Sequence, residues 1–267
     1  MFFILALNNP QLVVILLTYF NQNPIMINYL TWDSDFFGFP IGKITVKKLH
    51  ADNIIPLLTH AEHERFRCLY FEANPDDAIT IAIAESHGFH LIDVRTVLEH
   101  PFDDRPAPVP LYPIPDNLMI TSPHPNDMSR LKEISAQTGY TSRFAFDKNF
   151  GKIASERLYQ AWIENATKGY ADKIFIARCG KDGEAIGLMT CTLQSDIANI
   201  QLAGVSLDYR KRSVGTALVQ TALDWAKSEK CAKMHVVTQG RNVPAQRLYQ
   251  QMGFFTKSVS LFYHKWL

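Results

Sequence analysis

The second half of the chain predicts an α/β fold, a mixed central sheet with helices on both faces. Three observations carry this: short apolar, β-branched runs of strand type, amphipathic runs of helical period, and Gly, Pro and Asn at the junctions. Strands that alternate with helices bury a sheet between two helical layers. A smaller α/β region is expected upstream.

The first 32 residues contain no charged side chain, and Met1–Leu7 and Leu12–Phe20 are apolar around Asn8-Asn9-Pro10. That break keeps each run below the roughly 18 residues of a spanning helix. Neither a basic start nor a small-residue cleavage site is present. Residues 1–26 are expected to be an extension upstream of a start at Met26, an edge strand or an interface segment, which leaves a homodimer open. Residues 27–100 are expected to form the smaller domain, with a strand at Cys68–Ala73, a helix at Asp76–Ser86, a turn at Gly88-Phe89 and a strand at Leu91–Leu98. Eight of the fourteen prolines fall between Pro101 and Pro125, so 101–117 is expected to be a stiff, extended linker.

The second domain, 118–267, is expected to open with helices at Asn126–Gln137 and Ile153–Thr167 around an irregular segment. Strands at Lys173–Arg178, Ala185–Thr192 and Ile197–Leu207 follow. A helix at Thr216–Lys230, a strand at Lys233–Thr238, a helix after Asn242 and a last strand complete it.

The formal net charge is +1, so no large field favours nucleic acid or an anionic membrane. Cys68, Cys179, Cys191 and Cys231 form no C-x-x-C pair, which points to reduced structural thiols in a cytoplasmic protein and to no metal site.

Val205-Ser206-Leu207-Asp208-Tyr209-Arg210-Lys211-Arg212-Ser213-Val214-Gly215-Thr216-Ala217 runs from a strand end through a basic turn into a helix, and its last six residues have the form R-x-x-G-x-A. The first N–H groups of a helix have no internal partner, and the aligned peptide dipoles leave positive charge there. Glycine lets such N–H groups approach a phosphate closely. This is the composition of a short pyrophosphate cradle. About thirty residues on, Asn242 can cap a helix that has Pro244 in its first turn and Gly253 at its end. Asn242, Ala245 and Tyr249 share one face of it.

Together these two elements resemble the GNAT N-acetyltransferase family, in its acetyl-CoA loop and in its N-x-x-A-x-x-x-Y helix followed by G-F. The resemblance implies the GNAT fold; upstream, the strand–helix–Gly-Phe–strand order of Cys68–Leu98 repeats Lys233–Phe262 and is read as a partial GNAT-like half without the R-x-x-G-x-A turn or the tyrosine. Chance similarity of a common pattern is the other reading of that repeat. It also implies acetyl-CoA as co-substrate, bound by Val205, Ser206, Leu207, Arg210, Lys211, Arg212, Ser213, Val214, Gly215, Thr216, Ala217, Asn242, Ala245 and Tyr249. Leu30–Gly38, Thr141-Ser142-Arg143-Phe144, Thr238-Gln239 and His264-Lys265-Trp266-Leu267 are similar to members that acetylate the 4-amine of a dTDP-4-amino-4,6-dideoxy sugar. A small-molecule amine, carried on a nucleotide sugar, is then the expected acceptor, with no nucleic-acid or membrane partner.

The residues suggest roles for themselves. A phenol with pKa about 10 keeps its proton at neutral pH, so Tyr249 can protonate a departing thiolate. Asn242 is expected to orient a water or the pantetheine amide. Arg143 can hold a diphosphate in a fork, and Phe144 or Trp32 can stack on a ring. Core packing for Tyr249, Phe144 and Trp32, a bare cap for Asn242 and a surface salt bridge for Arg143 stay open beside these. No Asp or Glu stands within Ile197–Leu207 to act as a base, and His235 is expected to be a core or surface histidine. Three function classes remain at this point: an aminosugar N-acetyltransferase, a GNAT enzyme for another amine, and a non-catalytic acetyl-CoA-binding module.

Overall fold

The computed structural model describes residues 26–103, 113–180 and 183–267. The apolar extension before Met26 and most of the proline-rich linker lie outside the described residues. In chain order the elements are β1 (Ile27–Tyr29), α1 (Thr31–Phe37), β2 (Ile41–Ile44), α2 (Ala51–His63), β3 (Cys68–Ala73), α3 (Ala78–Ser86) and β4 (His90–Pro101). Then come β5 (Leu118–Thr121), α4 (Met128–Thr138), α5 (Arg143–Phe146), α6 (Gly151–Asn165), β6 (Lys173–Cys179), β7 (Ala185–Gln194) and β8 (Ile197–Val205). The chain ends with α7 (Val214–Ser228), β9 (Lys233–Gln239), α8 (Val243–Gln251) and β10 (Phe255–Trp266).

Most expected elements are present with ends shifted by one or two residues, the ordinary fraying of helix termini. Sequence periodicity missed the short β1, β2 and β5, as well as α2, which carries Pro56 inside it. Among the described residues no helix is long and apolar enough to cross a membrane.

The chain divides into two compact units, one reaching to Ile92 and adding Ser260–Leu267, the other spanning Asp93–Val259. In the first, β1 pairs antiparallel with β2, β2 parallel with β3, and β3 antiparallel with Leu261–Trp266 of β10. Its core gathers Ile54, Leu57, Leu69, Phe71 and Tyr263. In the second, antiparallel ladders join β5 to β6, β6 to β7 and β7 to β8, a parallel ladder joins β8 to β9, and β9 pairs antiparallel with β4.

Successive strand residues face opposite sides, and the second unit fills both. Ala177, Met189 and Ile200 pack with Leu218 and Ala222 of α7 and Tyr249 of α8. Ile176 and Leu188 point the other way, onto Leu131 and Ile134 of α4 and Tyr159 and Ile163 of α6. Arg178, 2% exposed, is fully engaged inside: it donates to Thr121 Oγ1 and Gly183 O and pairs with Asp127.

Gly204 on β8 lies directly under α4. A Cβ there would sit 2.4 Å from Thr138 Cγ2 and 3.2 Å from Ile134 Cγ2. Gly204→Ala should therefore push α4 outward and cost about 1–3 kcal/mol, the usual range for overpacking. Denaturant unfolding measures this, and an unchanged midpoint would show that α4 yields freely.

Candidate active site

The ladder between β8 and β9 is short. It joins Ile197–Ile200 to Lys233–Val236 and stops. Beyond that point β8 continues along β7, while Val237–Gln239 of β9 continue along Val97–Arg95 of β4. A bulge sets the divergence: Thr190 faces Leu202 and Cys191 faces Ile200, leaving Gln201 as an extra residue. The flip shows in the packing, since Ile200 joins the α7 side and Leu202 the α4 side. The result is a wedge between two splayed strands. Ser206 N–H donates to Ile186 O on the β7 side, so by antiparallel alternation the backbone groups of Val205 and Ala203 point into the wedge.

The basic turn stands at the end of β8. Lys211 and Ser213 both adopt left-handed backbone, at φ 59° and 58°. Such sign changes along a turn fold its N–H groups toward one another. The first intrahelical bond of α7 is Ala217 N–H to Ser213 O, and the Ser213 side chain makes no cap. The N–H groups of Val214, Gly215 and Thr216 thus have no helical acceptor, and the dipole of a 15-residue helix stands behind them.

Several residues of this stretch serve other ends than the sequence suggested. Arg210 turns back, donating to Val205 O at 3.2 Å and Gln137 O at 3.4 Å, so Lys211 and Arg212 are the exposed cations. Ser206 is buried and accepts from Arg130, and Leu207 N–H is taken by Gln137. Val214 and Ala217 point their side chains into the core, and the Ala217 N–H is already bonded. At Gly215 a Cβ would meet Leu248 Cδ2 at 2.9 Å, so this glycine also lets α8 approach α7.

On α8, Asn242 caps as expected: its Oδ1 accepts from Ala245 N–H at 3.3 Å. Gln246 reaches back to Gln239 O and Gly240 O and holds the preceding turn. Tyr249 is 5% exposed and packs against Phe254 and Cys191 in the core. Burial pushes its phenol well above the ordinary value, so the hydroxyl keeps its proton. The Cys191 thiol is pushed up to about 12 for the same reason.

A polar cluster that sequence reasoning missed lies beside the outer end of β9. Asp93 of β4 is buried, with Arg241 at 3.7 Å and Arg143 acting on it electrostatically. Burial outweighs both cations and raises the Asp93 carboxyl to about 6. Thr141 contacts Gln239 at 3.4 Å, and Ser142 caps α5 while bonding Ser155 at 2.8 Å. Phe144 is 3% exposed and packs edge-on against Phe150, which makes it core and removes it as a stacking platform. The exposed ring of the segment is Phe146, with the Arg241 guanidinium 3.9 Å from its centroid. Trp32 belongs to the other unit, where it is 40% exposed and stacks on Phe36. Asp93 and Arg143 are fifty residues apart, and no local pattern could have joined them.

Residues 139–254 match the family described as the acetyltransferase (GNAT) family. Over 246 residues the chain is 26% identical to the dTDP-fucosamine acetyltransferase of Escherichia coli O6:H1, covering 90% of this chain and 97% of that protein. It is 26% identical over 144 residues to the spore coat polysaccharide biosynthesis protein SpsD of Bacillus subtilis, covering 54% of this chain and about half, 49%, of that relative. Among solved structures, a GCN5-related N-acetyltransferase from Sphaerobacter thermophilus superposes with a TM-score of 0.61 at 14% identity, over 90% of this chain and 76% of that one. A tandem GNAT protein from the clavulanic acid biosynthesis pathway does so at 0.54 and 15%, over 86% and 76%.

Asp93 should mark the pH dependence of stability. Its folded value, about 6, lies above the ordinary aspartate value of 3.8, so the native state holds the proton more tightly than the unfolded chain. Stability from this site is full below about pH 4 and is lost as pH rises through about 6. Relative to Asp93→Asn, the wild type should lose on the order of 2–3 kcal/mol over that span. Urea titrations of both proteins at the two ends measure it, and parallel curves would place the carboxylate in contact with water.

Proposed function

We propose that this chain, whose residues 139–254 match the acetyltransferase (GNAT) family, transfers the acetyl group of acetyl-CoA to the amine of a nucleotide-activated aminosugar. The observation that carries the transfer is the β8–β9 wedge, with an uncapped helix N-terminus and two exposed cations at the end of β8. Backbone N–H groups of Val214–Thr216, with Lys211 and Arg212, fit the diphosphate of coenzyme A. The inward backbone groups of Ala203 and the N–H of Val205, whose carbonyl is held by Arg210, fit the amides of the pantetheine arm, as an added strand would.

In this reading, N–H groups along β8 polarise the thioester carbonyl, and a neutral amine attacks it. The C–N bond forms, the C–S bond breaks, and Tyr249 donates its proton to the leaving sulfur. Burial makes the phenol a weaker acid, so it keeps its proton until a thiolate forms beside it. The acceptor class is supported by the relative that aligns over nearly its whole length and is named for a dTDP sugar. It is supported too by Arg143 and Arg241 about Asp93, with Arg241 over the exposed Phe146, two guanidinium groups and one ring suited to a nucleotide diphosphate. A small-molecule acceptor of this kind and four thiols outside any disulfide fit a cytoplasmic enzyme of polysaccharide synthesis.

Two measurements test this. Acetyl-CoA should raise the thermal midpoint of the wild type, by about 2.7 kcal/mol of stabilisation at a hundredfold excess over Kd. The double variant Lys211→Ala, Arg212→Ala should lose most of that shift; unlike a change at Gly215, it disturbs no packing against α8. Tyr249→Phe should keep the shift and lower kcat by about 10²–10⁴. Turnover within a factor of two of wild type would remove the tyrosine from the chemistry. A screen of TDP- and UDP-aminosugars against peptides and free amino acids decides the acceptor.

A further inference from the structure

The transfer releases a proton from the attacking amine, and neither Tyr249, which gives a proton, nor the amide of Asn242 can take it. On β9, Met234 and Val236 face the core beneath α7 and α8. The alternation of the strand therefore sends Lys233, His235 and Val237 to the opposite face. There Val237 is 44% exposed, so the sheet lies open at this point. His235 is the cross-strand partner of Asn199 on β8 and of Glu99 on β4. It sits one residue before Ile200–Val236, the last pair before the wedge opens. Farther along the same face, Thr141 meets Gln239 and begins the wall that carries Arg143.

His235 is held by a carboxylate. Its Nε2 lies 2.6 Å from Glu99 Oε2, and the same oxygen accepts from Lys257 Nζ at 2.6 Å with Lys233 Nζ at 3.5 Å. These donors keep Glu99 ionised, its carboxyl lowered to about 2. Lys257 Nζ also stands 3.2 Å from Nε2; since an ionised carboxylate 2.6 Å away can only accept, the proton is assigned to Nε2, which leaves Nδ1 with the basic lone pair. The arrangement repeats the logic of an oriented catalytic imidazole: a ring with one nitrogen committed and one available. It stands on the face opposite the α7 helix, at the narrow end of the wedge, where an amine would meet a thioester lying between the strands.

We propose that His235, oriented by Glu99, is the proton acceptor for the attacking amine, and that Glu99 and Lys257 are positioning residues. The inference rests on the acetyl-transfer reading and on no particular sugar. As nitrogen bonds to the carbonyl carbon, its proton passes to His235 Nδ1. The collapse that expels the sulfur leaves the amide, and the thiolate takes its proton from Tyr249. Imidazolium and phenolate then return to their starting forms by exchange with solvent.

The test uses the full chain, acetyl-CoA and the best amine of the wild-type screen. His235→Ala should lower kcat by about 10²–10³, within the range of general base catalysis, while the acetyl-CoA-induced thermal shift is retained. Added imidazole should restore turnover in proportion to its concentration, which no structural role of the side chain predicts. Glu99→Gln should lower kcat less and leave KM for acetyl-CoA unchanged. If His235→Ala unfolds, His235→Asn, which can still bond Glu99, replaces it and should show the same loss. Turnover within threefold of wild type in the folded variant, or a loss that imidazole does not relieve, would overturn the assignment. A wild type that acetylates no amine would instead overturn the acetyl-transfer reading and this one with it.

Discussion

The candidate site is built on one interruption in a hydrogen-bond ladder. β8 and β9 are parallel neighbours for only four residue pairs. The extra residue at Gln201 then turns β8 along β7 while β9 holds to β4. A continuous sheet would satisfy these backbone groups internally. The splay removes the neighbouring strand, and the proposed ligand would take its place as an added strand. The same divergence sets the cradle at the end of β8 and opens the far face at Val237. The wedge thus has two mouths of different chemistry.

The fold defends that interruption with polar anchors. Arg130 joins α4 to Ala185 O and Ser206 Oγ, and Arg210 joins the end of β8 to the end of α4. Gly204 permits α4 to lie on β8, and Gly215 permits α8 to lie on α7. A strand edge freed from its neighbour would otherwise twist or drift. Here Arg130 and Arg210 clamp it, the latter through the Val205 carbonyl at the end of the wedge.

Two carboxyls on β4 show how environment decides charge. Glu99 receives a lysine and a histidine at 2.6 Å each, and hydrogen bonding wins, lowering it to about 2. Asp93, six residues earlier, has two guanidinium groups at longer range and a buried position, and desolvation wins, raising it to about 6. One carboxyl is held in its charged form by its donors. The other changes its charge near neutrality.

The sequence by itself determined the alternating elements, the basic turn before Gly215, the Asn242 cap and the face shared by Asn242, Ala245 and Tyr249. All of these are written within a few residues, at helical or strand period, where local sterics and hydrogen bonding decide the outcome. Only the tertiary structure decided which basic residues face solvent, because Arg210 is captured by carbonyls of β8 and α4. It also decided that Phe144 is core and Phe146 exposed, two neighbours alike in composition but placed on opposite sides of a four-residue helix. The meetings of Asp93 with Arg241, and of Glu99 with His235, span more than a hundred residues and exist because β4 pairs with β9. Such contacts follow from strand order and register, which depend on how the whole sheet packs and leave no periodic trace in the chain.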